Sequence, residues 1–390
     1  MSLGVRVGKA VRRRGHETVG ENALLKRKSL LLTPILGLLV FVGGCAAVQG
    51  NRGSEDALRE HVQALEERLR VLESGQAPII RVLNQARAAT AYVKGQYTFV
   101  DAMGRPLRHV LNDVGEPIAD PQGVPLVDLT GTGDIAVIDY CGTAFLVGRQ
   151  GELLTNRHIA EPWWKDEASA PLINAGLRPV FLRLRAFFQE RAEAVPIEVL
   201  RVHSEQDIAL IRTVGWIPTA EPLPLYSESG QLEEGQPVVL IGYPTGLEAI
   251  LARLDYSEQT RLEAETGGWG WAMVNRLAQN HQLRATVTGG HLWEVLPNTL
   301  VYDARTAPGG SGGPLLDHQG RVIGVNAEYL PNFHGGNYAV PIRYGRLLLG
   351  GGGLKAAGPS RETTDVTISL SRSHVTQTAT GCRNVPVKGE

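Results

Sequence analysis

The sequence predicts an all-β domain behind an N-terminal membrane-proximal helix, and three observations carry that expectation. About a dozen short apolar runs, from Ile135–Ile138 through Val195–Val202 to Tyr338–Val340, alternate with turn residues. Glycine, at 46 of 390 residues, is well above its usual share and comes with 22 prolines, which favours many turns over a helical bundle. The runs are too short and too evenly punctuated for a βαβ fold, so a barrel or sandwich is expected. A hydrophobic share of 43% and a charged share of 20% exclude a wholly disordered chain. The length allows one large domain with appendages, or two domains.

From the N-terminus, residues 1–45 read as a basic head followed by a signal or anchor segment. Residues 1–28 hold eight Lys/Arg against Glu17 and Glu21, a net +6 that leaves −7 for the remainder of a chain with formal charge −1. A basic head on an acidic body argues against nucleic acid as the partner and fits a topological signal. The run Leu30–Val42 is apolar apart from Thr33, Pro34 and Gly37, the layout of an export signal and short for a spanning helix. It ends in Val42-Gly43-Gly44-Cys45-Ala46-Ala47, which resembles the lipobox of bacterial lipoproteins. That resemblance implies cleavage before Cys45 and lipidation of its sulfur; an uncleaved anchor extended through Val48, or a cysteine merely set in an apolar helix, stays open. Either tether places the body in a bacterial cell envelope, periplasmic or extracytoplasmic.

Residues 46–95 are expected to form a helical stalk. Leu58, Val62, Leu65, Leu69 and Leu72 alternate spacings of four and three across 55–73, an a/d seam over two heptads. The seam suits a homo-oligomer, or a helix lying on its own domain. Residues 96–134 form a turn-rich segment with a loose repeat at Asp101–Pro106, Asp113–Pro117 and Asp120–Pro125, where Asp followed by Gly and Pro marks tight turns.

Three segments on the β-like background carry chemistry. The first runs from Cys141-Gly-Thr-Ala-Phe-Leu-Val-Gly148 to Thr155-Asn-Arg-His158. The second is Asp207-Ile-Ala-Leu-Ile-Arg212, and the third is Gly309-Gly-Ser311-Gly-Gly-Pro-Leu315. In this order they resemble the trypsin-like serine peptidases of the chymotrypsin fold, closest to the bacterial HtrA/Deg branch. Gly235–Gly246 resembles the strand that opens that family's second barrel, and Gly324-Val-Asn-Ala and Tyr338-Ala-Val-Pro341 its closing strands. The resemblance implies an all-β, chymotrypsin-like double β-barrel over 135–346 and the activity of a serine endopeptidase.

The residue types make chemical sense on their own. A serine hydroxyl needs an adjacent base to become a nucleophile. Histidine, with an ordinary pKa of roughly 6.5, accepts and returns a proton near neutrality. A carboxylate on its other nitrogen fixes the tautomer and stabilises the imidazolium. His158, Asp207 and Ser311 supply these groups. The resemblance assigns the oxyanion hole to the backbone N–H groups of Gly309 and Ser311. It places Arg305 at the base of the substrate pocket, where Asp303 is close enough to pair with it. It also gives Asn326, Ala327 and Glu328 the role of pairing with a substrate strand. Gly310 departs from the acidic or amide residue common before the serine, which leaves open what holds that loop.

Two insertions depart further. Residues 161–177 carry Trp163 and Trp164, and residues 247–282 carry a helical pattern and then Trp269 and Trp271; recognition of a partner or packing on the barrels would each explain them. Cys141 reads as a buried strand thiol, with pairing to Cys382 left open. Residues 347–390, rich in Gly, Ser and Thr, form a tail rather than a PDZ domain, with Val366–Leu370 as a candidate edge strand. No metal or organic cofactor is implied. The expected partners are protein or peptide substrates and a membrane. The rival reading is a non-enzymatic or latent protease-like module that binds envelope proteins; an esterase using the same three groups is a third.

Overall fold

A computed structural model describes residues 61–63, 80–121, 123–227, 231–268, 270–329, 336–350 and 354–356. The basic head, the apolar run, Cys45 and nearly all of the 55–73 seam lie outside these residues, as do 366–370 and Cys382. Residues 61–63 are helical. No helix of the described residues is long and apolar enough to cross a membrane.

Two six-stranded barrels make up the body. The first is built from β1 (Thr90–Val100), β4 (Ile138–Leu146), β5 (Glu152–Thr155), β6 (Arg178–Phe187), β7 (Val195–His203) and β8 (Ala209–Thr213). Its strands follow the order β7-β6-β1-β4-β5-β8, and pairing of β7 with β8 closes the ring. The second uses β9 (Pro237–Gly242), β10 (Thr286–Val295), β11 (Leu300–Tyr302), β12 (Pro314–Asp317), β13 (Val322–Tyr329) and β14 (Asn337–Pro341), closed in the order β10-β11-β14-β13-β12-β9. Closure removes the open sheet edges that short strands would otherwise expose. Both barrels are packed by fully buried side chains, among them Phe145, Phe187, Leu153 and Leu154 of the first and Leu315, Val325 and Tyr302 of the second. Each such aliphatic or aromatic burial contributes about 1.5–3 kcal/mol.

The first barrel begins earlier than the expected boundary at 135. Its central strand β1 starts at Thr90, inside the stretch expected to be stalk, and pairs with β4 and β6. The strand is buried on both faces, because Tyr92 and Lys94 point outward and are covered: Tyr92 meets Tyr243, just after β9, at 5.4 Å between ring centroids, and Lys94 lies over Trp271 of the 247–282 insertion at 5.6 Å. Ahead of β1, residues 80–88 form helix α1, whose last turn is tied to the strand by Thr90 Oγ1 donating to the Ala86 carbonyl at 2.7 Å.

The turn-rich segment leaves the barrel between β1 and β4 and carries the small pair β2 (Arg108–His109) and β3 (Val127–Asp128). Its repeat starts one residue earlier in the middle copy than the sequence suggested. Asn112, not Asp113, accepts from Val114 N–H and Glu116 N–H, matching Asp101 with Met103 N–H and Arg105 N–H. An amide oxygen serves that turn as well as a carboxylate does.

Helices decorate the barrels: α2 (Arg157–Ala160), α3 (Ala170–Asn174), α4 (Leu247–Leu251), α5 (Tyr256–Thr266), α6 (Trp271–Gln279) and α7 (Arg343–Gly350). The last runs from the second barrel back to the first, where Arg201 donates to the Leu348 carbonyl at 2.7 Å. An edge strand, β15 (Leu354–Ala356), then adds to β7.

Candidate active site

Strand register brings His158 and Asp207 together. Thr155 at the end of β5 pairs with Ala209 at the start of β8, so the residues after one strand and before the other leave the barrel at the same end. There α2 turns His158 back onto Asp207. The carboxylate grips the histidine at two points: Oδ1 accepts the His158 backbone N–H at 3.0 Å, and Oδ2 lies 2.7 Å from Nδ1. An ionised carboxylate can only accept, so Nδ1 carries the proton and Nε2 is left with its lone pair. Asn156 Nδ2 donates to the Asp207 carbonyl at 2.8 Å, and Arg157 donates to the carbonyls of His203 and Ser204. The loop before Asp207 is thereby fastened to α2.

Ser311 comes from the other barrel, ahead of β12. Its carbonyl accepts the Thr143 N–H of β4 at 2.8 Å, and Gly312 fits so closely on Thr143 and Thr155 that a Cβ there would lie 1.9 Å from the Thr143 carbonyl oxygen. These contacts seat the serine loop against the strand ends that carry His158. Both residues are nearly covered, His158 at 7% and Ser311 at 8% exposure, so each lies away from bulk water. The Ser311 hydroxyl itself donates to the Ala327 carbonyl at 3.1 Å rather than to His158.

The two expected oxyanion donors stand apart from their neighbours. Gly310 N–H donates to Ala307 O at 2.9 Å, Gly312 N–H to Asn326 O at 2.8 Å and Gly313 N–H to Gly310 O at 3.1 Å. The N–H groups of Gly309 and Ser311 make no hydrogen bond to any described residue. Gly309 adopts φ +91°, a conformation that L side chains avoid. Gly310 is glycine for a different reason: a Cβ would sit 2.3 Å from Thr306 Oγ1. What holds the loop is therefore beneath it. Buried Tyr302 donates to Asn326 Oδ1 at 2.6 Å, and Asn326 Nδ2 donates to Thr306 Oγ1 at 3.2 Å. Burial pushes the Tyr302 phenol far above its ordinary range, so it remains a donor.

The expected specificity residues divide. Arg305 is exposed and its carbonyl accepts from Thr288 Oγ1 at 2.8 Å; Asp303 accepts the His291 backbone N–H instead of pairing with Arg305. Asn326 is not free to pair with a substrate strand, because its own N–H and C=O are committed to Gly313 and Gly312. The available edge begins at Ala327; the side chain of Glu328 lies outside the described residues. Cys141 is disulfide-bonded, not the free thiol expected, and the other two cysteines, Cys45 and Cys382, are outside the described residues. The tryptophans pack on the barrel: Trp163 against Tyr97 and Phe181, Trp271 against Phe187. Trp164 lies between Arg157 and Lys165; Trp269 is not described. Thr143, Tyr302 and Thr306 have no signal in the sequence, since threonine and tyrosine in apolar runs read as ordinary strand residues.

Residues 142–325 match the family model described as a trypsin-like peptidase domain. Among curated proteins, the chain is similar to a putative serine protease HhoB of Synechocystis, 26% identical over 52% of this chain and 38% of that protein. It is also similar to a probable periplasmic serine endoprotease DegP-like of Hahella chejuensis, 25% identical over 52% of this chain and 33% of that one. The chain thus spans about a third of the length of these relatives. Among solved structures, the HtrA-type protease AlgW with decapeptide aligns over 70% of this chain and 68% of its own, at 18% identity and a TM-score of 0.40.

Proposed function

We propose that the chain, whose residues 142–325 match a trypsin-like peptidase domain, is a trypsin-like serine peptidase of the HtrA branch and an endopeptidase of the bacterial cell envelope. Ser311 is its nucleophile, His158 its general base and Asp207 the group that orients the base. The observation that carries this reading is the two-point grip of Asp207 on His158, which leaves Nε2 as the free base, beside a serine loop with two unbonded backbone N–H groups.

In the proposed cycle, a substrate strand pairs with the edge that begins at Ala327, so sequence-independent backbone bonds present the scissile carbonyl. Ser311 Oγ turns about its side-chain bond from Ala327 to His158 and attacks the carbonyl carbon as Nε2 takes its proton. The oxygen that gains charge is bound by the N–H groups of Gly309 and Ser311, donors whose individual loss typically costs about 10²–10³ in rate. The imidazolium then protonates the departing amine, leaving an ester on Ser311. Water, deprotonated by the same imidazole, hydrolyses that ester and restores the serine.

The basic head, the apolar run 30–42 and Cys45 support export with a lipid or uncleaved anchor. The relatives described as periplasmic agree with the envelope. Labelling by a fluorophosphonate probe tests the enzyme reading: wild type should label and Ser311→Ala should not, with casein turnover separating peptidase from esterase. Absence of labelling on a folded wild type refutes it. The second reading, a latent or binding-only module, is favoured by the Ser311 hydroxyl resting on Ala327, and predicts that unlabelled outcome.

A further inference from the structure

We infer that Thr143 and Thr245 are positioning residues, one from each barrel, that together aim the Gly309 N–H into the oxyanion hole. The inference rests on the reading of Ser311 as nucleophile. Gly309 lacks a Cβ, so its own backbone preferences do not choose between pointing an N–H or a carbonyl into the cleft. The choice must come from outside the loop, and both carbonyls that flank the Gly309 N–H are held.

The Pro308 carbonyl accepts the backbone N–H of Thr245 at 2.6 Å. In a planar trans peptide the C=O and N–H point in opposite directions, so this bond turns the Gly309 N–H away from Thr245. The Gly309 carbonyl accepts from Thr143 Oγ1 at 2.8 Å. That hydroxyl also accepts the Tyr243 N–H at 3.1 Å, which commits its single proton to Gly309. With both planes fixed, neither can flip to place a carbonyl where the oxyanion forms.

Thr245 occupies the left-handed region at φ +56°, where a β-branched residue is an outlier that only its surroundings can sustain. Those surroundings are specific. Thr245 Oγ1 accepts the Ala249 N–H of α4 at 3.1 Å, and Gly246 N–H closes onto the Tyr243 carbonyl at 2.9 Å. The strained residue opens the α4–α6 insertion, which docks on the first barrel through Trp271 and Phe187. No side-chain atom of Thr143 or Thr245 is assigned to substrate; each acts through Gly309.

The test compares rates of fluorophosphonate labelling with kcat and KM on a peptide substrate. Thr143→Val keeps the shape and removes the hydroxyl; it should lower labelling and kcat by about 10–100-fold with KM within about twofold, and Thr143→Ser should restore both. An α-hydroxy acid in place of Thr245 deletes the N–H alone and should cost about 10²–10³ in the same two quantities, whereas Thr245→Gly, which retains the N–H, should stay within about tenfold of wild type. Wild-type labelling rates in Thr143→Val and in the variant lacking the Thr245 N–H overturn the inference, as does a loss confined to KM. A wild type that does not label overturns the reading of Ser311 beneath it, and the inference with it.

Discussion

The Ser311 hydroxyl rests on the Ala327 carbonyl of β13 at 3.1 Å. That separation is long for an O–H···O bond, whose usual distance is about 2.7–2.8 Å, so little holds the hydroxyl there. Across the cleft His158 is already turned by Asp207 with Nε2 outward. In the proposed mechanism the resting and reactive arrangements differ by a rotation of the Ser311 side chain, which a substrate strand competing for the Ala327 carbonyl would favour.

Asp207→Asn separates the two roles of the carboxylate. An amide oxygen can still accept the His158 backbone N–H, so the fold should hold. The amide nitrogen would face Nδ1 and impose the wrong tautomer. We expect kcat on a peptide substrate to fall by about 10⁴ with Tm close to wild type. Steady-state kinetics beside thermal unfolding checks this, and a fall below tenfold would mean that His158 is not the base.

Gly310→Ala should damage the loop for a purely steric reason, since the added Cβ meets Thr306 Oγ1 at 2.3 Å. Overpacking of this kind costs about 1–3 kcal/mol. The double variant Thr306→Ala/Gly310→Ala should recover part of that loss, because the colliding oxygen is gone. Denaturant unfolding of the two single variants and the double gives the coupling. Additive losses would show that Thr306 is not the obstacle.

How much of this was legible in the sequence depends on where each constraint lies. His158, Asp207 and Ser311 stand out because each lies in a short run of distinctive neighbours, and the meeting of His158 with Asp207 follows from the pairing of β5 with β8. Strand β1 was hidden. Lys94, Gly95 and Gln96 interrupt its apolar pattern, and the groups that cover its outer face, Tyr243 after β9 and Trp271 in an insertion, lie about 150–180 residues away. The support under the serine loop was equally silent: Gly310 looked like a missing side chain, when Thr306 fills its place. Asn326 read as substrate-facing because a strand pattern does not say which backbone groups are already paired.

Tyr302→Phe tests that support. Removing the phenol leaves Asn326 Oδ1 buried without its donor, and an unsatisfied buried acceptor costs about 1–3 kcal/mol. The expected result is a stability loss in that range, read from chemical denaturation. A companion fall in fluorophosphonate labelling should follow, because Asn326 also holds Thr306 beneath Gly310. Unchanged stability would mean that the buried amide finds another partner.

His203 should make stability depend on acid. Its Nδ1 accepts the backbone N–H groups of Gln206 at 3.0 Å and Glu205 at 3.2 Å, shaping the loop that delivers Asp207. Burial lowers its pKa; the Glu205 charge opposes this and the Arg157 charge adds to it. Its ring also stands edge-on to Tyr344 at 5.1 Å. Because the unfolded chain binds this proton more tightly, the contribution is fully present above the ordinary histidine value of about 6.5 and is lost as pH falls from there through the folded value. Protonated Nδ1 can no longer accept, so the loop should loosen in the same window. Tm measured from pH 8 to pH 5 should therefore fall more steeply in wild type than in His203→Gln, and parallel curves for the two would assign the acid sensitivity elsewhere.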